Sequence, residues 1–198
     1  MKNPESLLPD LKELGILLLG FLPWLLFLFL SGNTLASLER AIVISLIASL
    51  IFGFRELRSG YILTWGTLVF FSSCAILVNI FKVVWVASQM SLLANSALAV
   101  TMWLTLLLGK PFALQYARKG LPKEHWNDPN FIRGCRFITV VWACLMSLSA
   151  LVSLIHRIPG LKWPEWVFFL LSMCIMLTGL TFTTVYKRQK RLKRERNV

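Results

Sequence analysis

Long apolar runs recur along this chain, and short stretches between them gather its charged residues. The runs cover residues 14–30, 35–54, 61–81, 92–109, 137–155 and 166–186. Each is close to the ~20 residues that a helix needs to cross the hydrocarbon of a bilayer. Residues 35–54 are the weakest case, because Glu39 and Arg40 leave only the 14 residues 41–54 uncharged. That run still counts as a span, since Arg40 snorkels to the headgroups with Glu39 beside it. In hydrocarbon every backbone N–H and C=O needs an internal partner, so a crossing segment is a helix or a strand of a closed barrel. A barrel requires alternating apolar and polar residues over strands of about ten. These runs are continuous instead. The pattern predicts an all-α polytopic membrane protein, a single membrane domain over 1–198 built as a six-transmembrane-helix bundle. Pro23 is expected to bend the first helix.

The stretches between the spans have characters of their own. Residues 1–13 place Leu7, Leu8, Leu11 and Leu14 at helical spacing opposite Glu5, Asp10, Lys12 and Glu13, which predicts a short interfacial helix. Its acidic residues and the lack of an A-x-A site argue against a cleaved signal peptide. Residues 82–91 are apolar but contain Lys82, Trp85 and Gln89, so they either lie along the membrane surface or begin the fourth helix. Between the fourth and fifth helices lies an amphipathic segment, 110–136. Gly120-Leu121-Pro122 interrupts it, and Asp128-Pro129 reads as a helix N-cap followed by proline at the first helical position. Residues 187–198 form a basic tail.

Composition agrees with lipid as the solvent. Charged residues make up 15% of the chain, against about 25% in soluble domains. The net charge is +12, which in a soluble protein would point to nucleic acid. Here the cations sit between and after apolar runs, so nucleic acid is not an expected partner. Their distribution sets an orientation. Lys2, Lys12, Arg55, Arg58, six residues of 110–136 and seven of the tail fall on one side, seventeen in all. Arg40, Lys82, Arg157 and Lys162 fall on the other. The positive-inside rule puts the first side, with both termini and the 110–136 segment, in the cytoplasm.

Lipid gives helices no hydrophobic reason to associate, so close packing of small residues must contribute. The second span carries Ala41, Ser45, Ser49 and Gly53 at four-residue intervals, and the fourth carries Ala97, Thr101, Thr105 and Gly109. Ser45, Ser49, Gly53, Ala97, Thr101 and Thr105 are therefore the expected helix-packing residues.

Chemistry is sparse. No Asp, Glu or His occupies the middle of a span, where proton-coupled transport would use one. H-E-x-x-H, G-x-S-x-G and phosphate-cradling glycine loops are absent from the sequence. No cofactor and no metal site is expected. His125, Glu124 and Asp128 lie in a basic turn and do not read as ligands. Cys74, Cys135, Cys144 and Cys174 are not spaced as a zinc or redox pair. The 110–136 segment fits two readings, a positively charged topogenic loop or a docking face for a partner or anionic lipid. The candidate contact residues are Lys110, Phe112, Gln115, Tyr116, Arg118, Trp126 and Arg133.

Phe21-Leu22-Pro23, the turn from Arg55 to Gly60, Lys110-Pro111-Phe112 with Gln115-Tyr116-Ala117, Trp126, Trp142-Ala143 and Tyr186-Lys187-Arg188 occur in that order. Together they resemble the bacterial intracellular septation protein A family of small inner-membrane proteins. The order runs along nearly the whole chain. Cys135 stands where the family pattern has asparagine, and the basic tail is longer. The resemblance implies a non-enzymatic role in cell-envelope upkeep or septation at the inner membrane. The expected partners are the bilayer, anionic lipids and other membrane proteins, a second copy of this chain included. Two other classes compete with it. A small-solute transporter or channel would gather Asn79, Gln89, Asn95 and Thr101 around a polar cavity. A lipid-modifying membrane enzyme would use Arg118, His125 and Asp128.

Overall fold

The computed structural model describes residues 8–32, 34–120, 126–156 and 164–195. All regular structure among them is helical. The helices are α1 (Leu8–Leu30), α2 (Leu35–Arg58), α3 (Ile62–Cys74), α4 (Val84–Ser88), α5 (Met90–Leu107), α6 (Phe112–Ala117), α7 (Pro129–Ile155) and α8 (Glu165–Glu195). A π-helical turn, Ala75–Ile80, extends α3, and a 3-10 turn, Arg118–Gly120, follows α6. Among the described residues five helical stretches are long and apolar enough to cross a membrane: Leu35–Arg58, Ile62–Ile80, Met90–Leu107, Pro129–Ile155 and Leu170–Lys190. Within α1, Gly20–Leu30 is a shorter apolar stretch.

Several helices run past the ends that hydropathy suggests. Residues 8–13 are not a separate interfacial helix but the first turns of α1; residues 1–7 lie outside the described residues. α2 continues beyond Phe54 to Arg58, so Glu56 is helical. α7 starts at Pro129, two turns before the apolar run at Phe137, because the Asp128 carboxylate caps it by accepting from the Asn130 N–H at 2.9 Å. α8 carries on into the basic tail as far as Glu195. Residues 82–91 divide: Val84–Ser88 form α4, and α5 begins at Met90.

Three helix ends show how the chain turns. α2 closes with the Tyr61 N–H on the Glu56 carbonyl and Gly60 in the left-handed region, at φ +71°. α5 closes the same way, with the Lys110 N–H on the Thr105 carbonyl and Gly109 at φ +67°. Both are Schellman ends, and glycine takes the positive φ without steric cost. The π turn widens the third. There the Val83 N–H reaches back six residues to the Leu77 carbonyl, and Lys82 holds the left-handed position at φ +51°. A side chain at that angle costs about 1–2 kcal/mol. The Lys82 ammonium offsets part of this by pairing with Glu39 of α2 at 2.7 Å.

The bundle is apolar outside as well as inside, and several hydroxyl side chains are buried within it. Leu107, Ile80 and Ile51 are 82%, 70% and 66% exposed, while Ser45, Ser49, Thr105, Thr139 and Ser149 are buried. That arrangement is stable when the surrounding solvent is itself apolar. α5 and α7 form the most extensive pair, α1 lies along α2, α3 fills the space between α2 and α5, and α8 leans chiefly on α7. Aromatic rings lock the centre. Phe21 stacks on Trp142 at 5.1 Å, and Phe112 meets both edge-on. The indole N–H groups are satisfied by threonines of neighbouring helices, Trp24 on Thr67 at 2.8 Å and Trp142 on Thr183 at 2.9 Å.

Small residues bring the backbones together. Ala41, Ser45, Ser49 and Gly53 are all buried along α2. On α5, Thr105 is buried, and Ala97 and Thr101 are half-buried. Thr101 occupies the space over Gly66 of α3, where an added Cβ would stand 2.7 Å from the threonine methyl and hydroxyl. Gly66→Ala is therefore expected to destabilise the bundle by about 1–3 kcal/mol. Thr101→Ala in the same chain should recover most of the loss. Tryptophan fluorescence during reversible denaturation in mixed micelles measures both, and a Gly66→Ala chain as stable as the wild type would disprove the close approach of α3 and α5.

Candidate functional site

A polar network lies where α2 ends, α3 begins and α6 folds back. Its centre is Glu56, whose side chain is 9% exposed. The position follows from local structure. Glu56 is on the buried face of α2, one turn after Gly53, and the Schellman turn that follows returns the chain so that Thr64 of α3 faces it. The Thr64 hydroxyl donates to Glu56 Oε2 at 2.6 Å, and the Tyr116 hydroxyl donates to the same oxygen at 2.8 Å. Lys119 Nζ donates to Oε1 at 2.7 Å. The carboxylate is thus held by three donors from α3, α6 and the 3-10 turn. Its charge is balanced by an ammonium whose side chain is one-third exposed.

Two tyrosines enclose the ammonium. Lys119 Nζ lies 5.0 Å from the ring centroid of Tyr61 and 5.3 Å from that of Tyr116, within cation–π range. The two rings meet edge-on at 5.4 Å. Burial and the neighbouring Glu56 carboxylate push both phenols above their usual range, Tyr116 the further of the two. Tyr116 therefore remains a protonated donor to Glu56 at neutral pH. Gln115 completes the closure: its side-chain oxygen accepts from the Ile62 N–H at 3.2 Å, and its amide donates to the Lys110 carbonyl at 3.0 Å.

This network explains the placement of α6. Phe112, Ala113, Leu114 and Tyr116 are buried, and Tyr116 packs so tightly on α1 that an added Cβ at Gly20 would stand 2.5 Å from its ring. The Phe112 N–H donates to Thr105 and the Ala113 N–H to Thr139, so hydroxyls of α5 and α7 satisfy the first amides of the short helix. α6 is inserted into the bundle end and does not lie on a surface. Of the contact residues suggested by the sequence, Phe112 and Tyr116 are 0% and 4% exposed and belong to the core. Gln115 is half-buried, and Lys110 and Arg133 are exposed. Arg118 lies 5.4 Å from the Trp126 ring and donates to the Trp126 carbonyl. Glu124 and His125 lie outside the described residues, as do Lys123, Arg157 and Lys162.

The polar residues within the spans do not converge. The Asn79 amide donates to the Glu39 carbonyl, the Asn95 amide to the Ser153 hydroxyl, and the Thr101 hydroxyl to the Ala97 carbonyl. Gln89 is half-buried at the end of α4. None of the four cysteines forms a disulfide. Among the described residues no three His, Cys, Asp or Glu side chains are grouped to hold a metal ion.

Chemically, the Glu56 cluster is a closed, charge-balanced junction. Both carboxylate oxygens are engaged, and each partner comes from a different element. Glu56, Tyr61 and Thr64 escape sequence reading because Glu56 sits among Arg55 and Arg58 in what looks like a solvated turn. The available clue is Gly53, one helical turn before it on the small-residue stripe. No family model, curated protein or solved structure matches the chain.

Removing a donor from a buried carboxylate leaves part of its desolvation cost uncompensated. Tyr116→Phe is expected to cost about 1.5–3 kcal/mol of stability. Glu56→Ala and Lys119→Ala should be non-additive by about 0.5–3 kcal/mol in a double-mutant cycle; strict additivity would show the pair to be uncoupled. Glu56→Gln removes the negative charge that opposes phenolate formation. In an ultraviolet pH titration it should move the highest tyrosine transition to lower pH.

Proposed function

We propose that this chain is a six-span protein of the bacterial inner membrane with both termini cytoplasmic. It acts without catalysis, in cell-envelope maintenance or septation, through contacts with other membrane proteins. α1 supports the sixth span: it is helical and uncharged from Leu14 to Leu30, about 25 Å at 1.5 Å per residue, close to the ~30 Å of hydrocarbon. The charge pattern supports the orientation. The ends of α2, α5 and α8 and the start of α7 gather Arg55, Arg58, Lys110, Arg118, Lys119, Arg133, Arg136, Arg188 and Lys190 at one end of the bundle. Lys82 and Arg40 lie at the other.

One observation carries the contact reading. Many polar side chains of the spans are spent on neighbouring helices or on their own backbone, as in Asn95–Ser153, Trp24–Thr67 and Trp142–Thr183. What the bundle presents outward is apolar helix flank and a cationic end. Such surfaces suit lipid and other spans, and the resemblance to septation protein A agrees with that use.

Two measurements test the reading. Alkaline phosphatase fused after the tail should be inactive, and fused within the connection between α7 and α8 it should be active. Crosslinking in cells followed by purification in mild detergent should recover the chain with envelope-assembly membrane proteins. An active carboxyl-terminal fusion would refute the orientation. Recovery of the chain alone, across several crosslinker lengths, would refute the contact role.

A further inference from the structure

The flank of α8 beside its seam with α7 carries an open groove of about 440 Å³, lined by Thr178, Thr181, Phe182, Val185, Tyr186 and Gln189. These positions recur every three or four residues, so they form one continuous face of the helix. At 1.5 Å per residue the face is about 16 Å long. Its two threonines do not make it polar. The Thr178 hydroxyl donates to the Cys174 carbonyl and the Thr181 hydroxyl to the Leu177 carbonyl, which leaves their methyl groups to the groove. Phe137 of α7 stands along one side, its ring 5.9 Å from Phe182 and 5.5 Å from Tyr186.

The groove ends at Gln189, at the cationic end of the bundle. Lys190 Nζ lies 6.0 Å from the centroid of the Tyr186 ring, so an ammonium overhangs the last aromatic of the groove. Arg133 precedes Phe137 by four residues. It therefore occupies the same edge of α7 one turn nearer that end, and it is exposed. Among the described residues neither cation forms a salt bridge. Glu56 at this end is engaged by Thr64, Tyr116 and Lys119, and Asp128 accepts from the Asn130 N–H. An apolar channel on the flank of α8 thus leads to two exposed cations at the cationic end of the bundle.

We propose that this face binds one anionic phospholipid, with an acyl chain along the groove from Thr178 to Gln189 and the headgroup phosphate held by Lys190 and Arg133. Charge-assisted hydrogen bonds from an arginine and a lysine suit a phosphodiester, and the threonine methyls and aromatic rings suit an alkyl chain. The site goes beyond the proposed function: it depends neither on which leaflet faces the cytoplasm nor on any protein partner.

Native mass spectrometry of the full chain in detergent, titrated with phosphatidylglycerol or phosphatidylcholine, tests it. The wild type should retain phosphatidylglycerol about tenfold more strongly. Arg133→Gln with Lys190→Gln should abolish that preference while leaving phosphatidylcholine retention unchanged. Thr181→Trp, which fills the groove and leaves the charges in place, should weaken retention of both lipids. Arg55→Gln with Arg58→Gln, elsewhere at the same end, should change neither. Equal retention of the two lipids by the wild type would overturn the proposal. So would a loss of preference in the Arg55 and Arg58 variant as large as in the Arg133 and Lys190 variant, since general surface charge would then suffice. Displacement of the lipid by inorganic phosphate would overturn it too, by reducing the site to an anion site without a chain-binding groove.

Discussion

An apolar helix surrounded by lipid gains nothing hydrophobic by touching another apolar helix, so this bundle has to be held by closeness and by satisfied polar groups. Both appear at the same places. Gly66 admits Thr101, Gly20 admits Tyr116, and Gly179 admits the Trp142 ring. Two of these approaches bring a polar group within reach of a partner on another element: Tyr116 to Glu56, Trp142 to Thr183. Ser45, Ser49, Thr105, Thr139 and Ser149 face inward while Ile51, Ile80 and Leu107 face outward, an arrangement that lipid favours over water.

The Glu56 junction shows how such a bundle closes one of its ends. Helices that cross a membrane leave unsatisfied carbonyls and amides at their termini. At this end Schellman turns satisfy part of them, and Gln115 of α6 accepts from the Ile62 N–H at the start of α3. The side chains of α6 bond back to α2 and α3, while hydroxyls of α5 and α7 satisfy its own first amides. A carboxylate in such a place is tolerated because three donors surround it and one of them is charged. Replacing any of them alters the attachment of several elements at once, since Thr64, Tyr116 and Lys119 belong to different segments.

The helical class and most of the spans were legible because hydropathy reports the solvent directly. Helix ends were less legible, because caps decide them. Asp128 extends α7 below its apolar run, and Gly60 lets α2 run to Arg58. The 110–120 segment misleads for a physical reason. Phe112, Leu114 and Tyr116 beside Lys110, Arg118 and Lys119 have the composition of a surface helix. Whether such a face meets lipid or protein depends on a carboxylate more than fifty residues away, and one sequence does not contain that pairing. Glu56 itself was hidden by the arginines that flank it.

The length of α8 has a mechanical consequence. Thirty-one residues make a rod of about 46 Å, roughly half again the thickness of the hydrocarbon. Because α8 leans chiefly on α7, that seam is its fulcrum. Within the range of tilts that membrane helices adopt, a thicker or thinner bilayer would therefore leave a different length of the basic end of α8 standing beyond the lipid.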